Sequence, residues 1–383
     1  MVLRKGYSLN SMKIAKATSL ALLALALLVI KSATPAQTAS VPPGDGDINN
    51  PWLISTVEHL LWISDETAAG NDFAGEYLVQ TQDIDASMTS TWFPDGGGGY
   101  LGFPPIGPTS IDAFAGNYNG AGYRIESLHI NRPAQNRVAL FATVGQSGSI
   151  GNLGLVDLVL TGDSIVGGLV GINNGLIGRT YTTGVVSGQA TTGGLAATNA
   201  PQGVIQDSYS LVDLATGFRG GGLASHNFGL IENAFAAGSI TDTSGNWPAS
   251  FGGLIGENDE PNAVVINGFW DTDTSGYPNA DDGAGDQTQA QSGIVGAGTS
   301  GMQDFATFDG LWTIEGRINV PIGYPVLQWQ IDQDFSANAP IWLIHVEGPS
   351  SLPVPFAAPF TIFLMALMFG LLGGRVLVIR QRF

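Results

Sequence analysis

A four-fold internal repeat is the feature of this sequence that most restricts its fold. Gly-Gly-Leu occurs four times at spacings of 26, 28 and 31 residues, and each copy is followed by an asparagine and then by an aromatic residue. The second glycines are Gly168, Gly194, Gly222 and Gly253, the asparagines are Asn173, Asn199, Asn227 and Asn258, and the aromatic residues are Tyr181, Tyr209, Phe235 and Phe269. Four copies that match at three positions indicate repeated structural units stacked on one another.

The stretches between these positions predict strands. Apolar residues alternate with small or polar ones over short runs such as 169–172 and 183–186, and glycine or asparagine interrupts each run. A helical solenoid is disfavoured, because no repeat contains an uninterrupted helical stripe of ten residues. We therefore predict an all-β fold, a parallel β-helix or β-solenoid of about 26–31 residues per repeat. Its asparagines would bond to the coils above and below, and its glycines would form tight corners with positive φ.

Both ends of such a solenoid need a cover, because an open sheet edge pairs with neighbouring chains. At the N-terminal end, Ser55-Thr56-Val57-Glu58 matches a capping box, and the apolar residues that follow have helical spacing. We expect a short N-terminal capping helix at about residues 56–68. The aromatic-rich segment 300–330 is expected to cap the opposite end.

The two termini carry signals of export. Residues 1–36 (with the true start at Met1 or Met12) combine a basic start, an apolar run and a small-residue cleavage site, as signal peptides do. Residues 356–374 are uncharged and mostly apolar, long enough for a transmembrane helix that keeps the basic end outside the bilayer on the cytoplasmic side. The predicted domains are a signal peptide (1–36), an N-terminal lead-in and cap (37–113), the solenoid repeats (114–275), an acidic loop and C-terminal cap (276–331), a linker with a proline motif (332–355), a transmembrane or sorting helix (356–374) and a basic cytoplasmic end (375–383).

The charge distribution excludes several classes of function. Of the 383 residues, 32 are acidic and none is cysteine, and all lysines lie before residue 32. A body so acidic cannot neutralise a phosphate backbone, so we expect no nucleic-acid partner. Without lysine and cysteine in the body, Schiff-base chemistry, disulfides and thiolate metal sites are also excluded.

Two parts of the chain resemble known families. Residues 167–188, GGLVGINNGLIGRTYTTGVVSG, resemble the GLUG motif, a repeat of bacterial surface and secreted proteins, and the resemblance extends over about residues 48–330. The proline motif, apolar segment and basic end resemble C-terminal sorting signals of the PEP-CTERM type, although Pro-Glu-Pro is absent. The first resemblance implies a parallel β-helix-like body and no catalytic residues. The second implies a membrane protease that cleaves the tail.

One acidic loop resembles a calcium-binding loop. Against the EF-hand pattern, residues 271–282 place oxygen donors at the ligand positions and Gly276 at the turn. The candidate calcium ligands are Asp271, Asp273, Ser275, Asn279 and Asp282. An ordinary acidic surface loop is the alternative, since no flanking helices are evident and Pro278 interrupts the pattern.

From these observations we expect an exported protein of the bacterial cell envelope or cell surface, not an enzyme. It would act in adhesion or extracellular-matrix contact through an extended acidic repeat surface. The expected partners are the membrane, through the C-terminal helix, an extracellular glycan or the surface of a host or neighbouring cell, and a sorting protease. A carbohydrate-active enzyme, either a polysaccharide lyase or a hydrolase, and a structural surface spacer are the alternatives.

Overall fold

The computed structural model describes residues 37–245, 250–259, 263–279, 282–285, 293–308, 313–315, 324–327, 330 and 341–343. The chain divides into two compact units, Met1–Thr38 and Ala39–Phe383, and nearly all described residues belong to the second.

Short strands and one helix make up the first part of the fold. The strands are β1 (Trp52–Ile54), β2 (Tyr77–Gln80), β3 (Ile84–Asp85), β4 (Asn117–Asn119), β5 (Arg124–Glu126) and β6 (His129–Asn131). Helix α1 (Val57–Ala68) lies between β1 and β2, and a 3-10 helix occupies Ser87–Thr91.

The repeats form regular coils, each built from a short strand, a long strand and a second short strand. The strands are β7 (Phe141–Val144), β8 (Ser149–Thr161), β9 (Ile165–Gly167), β10 (Val170–Asn173), β11 (Leu176–Gly188), β12 (Thr191–Gly193), β13 (Ala196–Asn199), β14 (Val204–Thr216), β15 (Arg219–Gly221), β16 (Ala224–Asn227), β17 (Leu230–Ala236), β18 (Ile240–Asp242), β19 (Ser250–Gly252), β20 (Ile255–Asn258), β21 (Val264–Asp271) and β22 (Ile294–Ala297). The C-terminal elements are α2 (Thr299–Met302), a 3-10 helix at Phe305–Phe308, β23 (Thr313–Glu315), β24 (Val326–Leu327) and β25 (Ile341–Leu343).

Equivalent strands of successive coils stack into three parallel sheets. The long strands continue the N-terminal ones in the order β1-β2-β4-β8-β11-β14-β17-β21-β22. The short strands form the orders β7-β10-β13-β16-β20 and β9-β12-β15-β19. The structure therefore confirms the predicted parallel β-solenoid and its repeat length, because neighbouring strands pair one coil apart.

The repeat positions stack as ladders inside the solenoid. Ile177, Ile205 and Ile231 pair across β11, β14 and β17 and are fully buried. The repeat asparagines form a second ladder, the inner asparagine ladder, of Asn173, Asn199, Asn227 and Asn258. Each amide donates to the side-chain oxygen of the next asparagine at 2.8–2.9 Å. Because these polar groups are buried, the ladder keeps them satisfied and fixes the register of the coils.

Close approach of the backbone explains the repeated glycines. A Cβ on Gly193 would overlap the carbonyl oxygen of Ala196, and Gly167, Gly221 and Gly252 meet the same obstacle in their coils. No glycine of the four Gly-Gly-Leu copies has positive φ, so the prediction of left-handed corners is wrong for these glycines. A left-handed position recurs instead two residues after the buried aliphatic of each coil, at Asn152, Arg179, Asp207, Asn233 and Asn267.

A helix is present where it was predicted, as α1, with a different N-cap. The N-cap residue is Thr56, whose Oγ1 accepts a hydrogen bond from His59 N at 3.3 Å. His59 Nδ1 in turn accepts one from Ser55 N at 3.1 Å, so histidine takes the place that the predicted capping box gave to Glu58.

The fold class predicted from the sequence needs one correction, because it included a C-terminal transmembrane helix. No helix within the described ranges is both long enough and apolar enough to span a bilayer. The longest, α1, has 12 residues, about 18 Å, whereas the hydrocarbon core is about 30 Å thick. The segments predicted as signal peptide (1–36), transmembrane or sorting helix (356–374) and basic end (375–383) lie outside the described residues. The predicted linker 332–355 contains a strand, β25.

Candidate functional site

The outer surface of the solenoid is acidic. The described part of the chain contains no lysine, and its five arginines are Arg124, Arg132, Arg137, Arg179 and Arg219. Positive charge in the described part of this surface is therefore confined to a few places, and in two of them an arginine meets one or two carboxylates.

The first cluster joins three residues from three strands and is named the Arg219 cluster. Arg219 Nη2 on β15 forms an ion pair with Glu257 Oε2 on β20. His226 on β16 pairs with Glu257 in the strand register, and its Nε2 lies 3.5 Å from Glu257 Oε1. The stacking of coils thus assembles a cation, a carboxylate and an imidazole that lie up to 38 residues apart in the sequence. Glu257 positions the other two, because each of its oxygens faces one of them.

Two phenyl rings flank the Arg219 cluster. The guanidinium carbon of Arg219 lies 5.3 Å from the centre of the Phe218 ring, and the His226 ring lies 3.8 Å from the Phe228 ring. Phe218 is 44% exposed. Exposed aromatic faces beside charged hydrogen-bonding groups can bind polar ligands that also carry apolar faces. The described cluster holds one carboxylate, whereas glycoside hydrolysis usually employs two.

The second cluster lies near the N-terminal end of the repeats. Arg124 Nη2 lies 3.1 Å from Asp83 Oδ2 and 3.3 Å from Glu126 Oε1. Both carboxylates are more than a third exposed. The arginine lies between the two acids and offsets their repulsion, so this arrangement has the character of a surface ion-pair network.

The predicted calcium ligands do not converge on one point. Asp271 is fully buried, and its carboxylate oxygens accept hydrogen bonds from protein groups on both sides. Asp273 accepts a bond from Thr299 N, Ser275 Oγ accepts one from Tyr277 N, and Asn279 donates to Asp282 within a separate turn. Among the residues that the structure describes, no group of three or more His, Cys, Asp or Glu side chains is arranged to hold a metal. The geometry does not fit a calcium loop, and calcium binding stays a prediction from the sequence.

The repeat aromatic residues form a ladder of their own, here named the outer aromatic ladder: Tyr181, Tyr209, Phe235 and Phe269. The rings stack nearly parallel, with centroids 5.1 Å apart for Tyr181–Tyr209 and 4.7 Å for Tyr209–Phe235. They belong to an apolar cluster separate from the solenoid core, together with residues from 302–327. The ladder therefore lies on the outside of the solenoid and needs a cover.

That cover belongs to the C-terminal segment 299–330, whose described residues (299–308, 313–315, 324–327 and 330) are here named the strap. Met302, Phe308 and Leu327 of the strap are fully buried against the ladder. Phe308 contacts Phe269, and Tyr324 stacks on Phe235. The sequence predicted an end cap for 300–330, but its described residues pack along the side of the solenoid, because the aromatic stack that they bury lies there.

Polar contacts at two points along the ladder hold the strap. Tyr209 Oη donates to Gln330 Oε1 at 3.0 Å, and Tyr324 Oη donates to Asp271 Oδ2 at 2.7 Å. Burial raises the pKa of Tyr181 to about 12. Burial and the hydrogen bond to Asp271 raise the pKa of Tyr324 to about 12 as well. Burial also raises the pKa of Tyr209. These hydroxyls are therefore protonated, and available as donors, over the whole physiological range.

Sequence reasoning missed the Arg219 cluster and the left-handed corner ladder. The corner ladder had a signal, since asparagine or aspartate occurs two residues after the buried aliphatic in four of the five coils. Asn267 donates to Asn233 and Asn233 to Asp207, at 2.9 and 3.1 Å. Burial raises the pKa of Asp207, although the bond from Asn233 and the charge of Arg179 oppose this. The Arg219 cluster had no local signal, because its members come from different coils.

Comparison with known proteins finds similarity to parts of two longer proteins. No family model matches the chain. It is 32% identical over 230 residues to Halomucin from Haloquadratum walsbyi, which covers 60% of this chain and 2% of Halomucin. It is 36% identical over 137 residues to a protein of Evansella cellulosilytica provisionally named a Gly-rich membrane protein, which covers 35% of this chain and 14% of the relative. This chain therefore spans only a small part of the relatives that it matches.

One solved structure is similar in shape. It is a protein of Bacteroides ovatus provisionally named an immunoglobulin A1 protease. The match has a TM-score of 0.44 and 21% identity, and covers 59% of this chain and 68% of the other. The fold of this chain is a parallel β-solenoid, and its sequence relatives are named Halomucin and a Gly-rich membrane protein.

Proposed function

We propose that this chain is an exported cell-surface protein that binds a repetitive extracellular polymer, such as a glycan, through the outer face of its solenoid, in adhesion or matrix contact. The observation that carries this proposal is the stack of coils itself. Equivalent outer positions recur from coil to coil at the strand spacing of about 4.8 Å, which suits a ligand that also repeats. The names of the sequence relatives support a surface location.

The Arg219 cluster is the proposed contact point on this face. It combines a guanidinium, an imidazole and two phenyl rings on a surface that is otherwise acidic and without lysine in its described part. The acidic remainder repels anionic polymers over a distance set by the salt concentration. We therefore expect neutral glycans to bind better than acidic ones at low salt.

Binding of the purified full chain to a panel of insoluble and arrayed glycans, and to cells, tests the proposal. We expect Arg219→Gln to reduce binding at least about tenfold, the loss of one charge-assisted contact. Arg137→Gln, which makes the same charge change away from the cluster, serves as the matched control. Equal binding by the two variants would exclude the cluster as the contact point.

The same panel separates the two alternatives. Release of new reducing ends or unsaturated products would identify a carbohydrate-active enzyme instead. No binding to any glycan or cell, combined with altered surface architecture when the protein is deleted, would identify a structural spacer.

The resemblances to GLUG-type surface proteins and to PEP-CTERM-type sorting signals are part of the proposed export route. Mass spectrometry of the mature protein tests it at both ends. Loss of residues 1–36 and a C-terminus near residues 350–356 would support export and sorting. An intact Met1 and Phe383 on the cellular protein would contradict both.

A further inference from the structure

The outer aromatic ladder and the strap together form an interaction that the proposed function does not use. The ladder results from the repeat, since it takes one ring from each of four coils. Its rings would form a continuous apolar strip on the solenoid if nothing covered them, and exposed strips of this kind are binding surfaces or aggregation sites. The strap is therefore the segment of the same chain that binds the outer aromatic ladder.

The strap is held by side chains, whereas the coils are held by backbone ladders. In the described part of the chain, no backbone–backbone hydrogen bond joins residues 299–330 to a solenoid strand. The strands β23, β24 and β25 pair among themselves in a sheet separate from the three solenoid sheets. Release of the strap would leave every solenoid sheet intact.

Asp271 connects the two parts. It lies at the end of β21 and is fully buried. Its Oδ1 accepts hydrogen bonds from Asp273 N at 2.8 Å and Thr274 N at 3.2 Å, both in the solenoid's own turn. Its Oδ2 accepts bonds from Thr299 Oγ1 and Tyr324 Oη, both at 2.7 Å and both in the strap. One carboxylate oxygen thus serves the solenoid and the other serves the strap.

A buried carboxylate that loses half of its donors is costly, so the strap hydroxyls act as a latch. A second polar contact lies further back along the solenoid. Gln330 bonds Tyr209 on β14, which stands three positions before the last strand, β22, of the long sheet. From Asp271 to Tyr209, the strap runs back towards the N-terminal end of the repeats.

We propose that the outer aromatic ladder is a docking groove for the strap, latched at Asp271, and that the strap docks and releases as a unit while the solenoid stays folded. Release exposes the four rings of the ladder as a binding strip. This inference is independent of the proposed glycan binding.

Hydrogen–deuterium exchange of the full chain tests the proposal with a variant on the strap side. Thr299→Val combined with Tyr324→Phe removes both hydroxyl donors to Asp271 Oδ2 and changes no solenoid residue. We expect exchange in 299–308 and 324–330 to accelerate roughly tenfold or more, with unchanged protection of β11, β14 and β17. Binding of a hydrophobic dye should rise at the same time, because the ladder becomes accessible.

Tyr277→Phe is the matched control. Tyr277 is a half-buried tyrosine near the same end of the solenoid, but it packs against the solenoid core and not against the ladder. We expect the control to leave exchange in the strap unchanged. Unaltered strap exchange in the double variant would refute the latch. Equal acceleration in the strap and in β11, β14 and β17 would refute release as a separate unit.

Discussion

The inner asparagine ladder and the outer aromatic ladder are built from the same repeat, yet they are completed in different ways. Each asparagine finds its partner one coil away, between 26 and 31 residues along the chain. The aromatic rings stack over similar separations, but their outer side is buried by residues from the strap, and Tyr209 finds its hydroxyl partner 121 residues away.

This difference separates what repetition can stabilise from what it cannot. Stacking one coil on the next satisfies groups inside the solenoid, because each coil supplies the partner of the previous one. A ring on the outside stacks on its neighbours above and below but keeps its outer edge open to water. Only a segment that does not belong to the repeat can cover that face.

Gly193→Ala tests the inner stacking most severely. The new Cβ would overlap the carbonyl oxygen of Ala196, so the coil must open, and we expect a loss of more than about 3 kcal/mol in the free energy of unfolding or failure to fold. Gly178→Ala is the control, because a Cβ there meets only the flexible side chain of Gln206 at ordinary contact distances. Denaturant unfolding followed by circular dichroism measures both. Equal midpoints for the two variants would contradict the close-approach argument.

Asn199→Ala breaks the inner asparagine ladder at its centre. It removes the acceptor of Asn173 and the donor to Asn227, both buried, and we expect a loss of about 2–4 kcal/mol in the free energy of unfolding. Asn174→Ala removes a bond from a half-buried neighbour to Val144 O, for which we expect less than about 1 kcal/mol. The comparison of urea midpoints checks this, and a smaller effect at Asn199 than at Asn174 would refute the ladder's contribution.

Phe308→Ala should act on the strap and spare the solenoid. The ring is fully buried against Phe269, so its loss weakens docking of the strap. If the strap is a separate unit, the free energy of unfolding of the solenoid should change by less than about 1 kcal/mol. Limited proteolysis followed by mass spectrometry should show earlier cleavage within 299–330. A solenoid midpoint that falls as far as in Asn199→Ala would show that the two parts unfold together.

Mild acid should weaken the N-terminal end of the solenoid. Burial lowers the pKa of His59 and of His129 in the folded protein, so the unfolded chain binds protons more readily than the folded one. The stability that is present above the unfolded pKa of about 6.5 is therefore lost as the pH falls below that value. Protonation would also abolish the bond that His59 Nδ1 accepts from Ser55 N. Thermal melts between pH 8 and pH 5 measure the loss, which should be smaller in His59→Asn. An unchanged pH dependence in that variant would exclude His59 as a source.

The fold could be predicted from the sequence because its cause is local and repeated. The order of Gly168, Asn173 and Tyr181 recurs in later coils, always with the asparagine five residues after the glycine, and this pattern was sufficient to predict parallel stacking and the repeat length. The N-terminal helix had its own signal in residues 55–58. No sequence signal showed whether the aromatic rings lie inside or outside the solenoid. A ladder in the core and a covered ladder on the outside require the same apolar residues.

The candidate site could not be predicted for the same physical reason. Arg219, His226 and Glu257 are unremarkable in the sequence, and only the register of β15, β16 and β20 brings them together. Conversely, Asp271 and Asp273 match a calcium loop by spacing, but the strap supplies Thr299 and Tyr324 as their neighbours.

By itself, the sequence determined the repeat, the strands between its glycines and the acidic, lysine-free character of the body, because these depend on residues close together or one period apart. Only the tertiary structure decided which side of the solenoid the strap covers and which charges meet on the outer face. Those outcomes depend on contacts between coils and between the repeat and a segment outside it. The free energy of such contacts depends on the distances between residues far apart in the sequence, which a local sequence pattern does not contain.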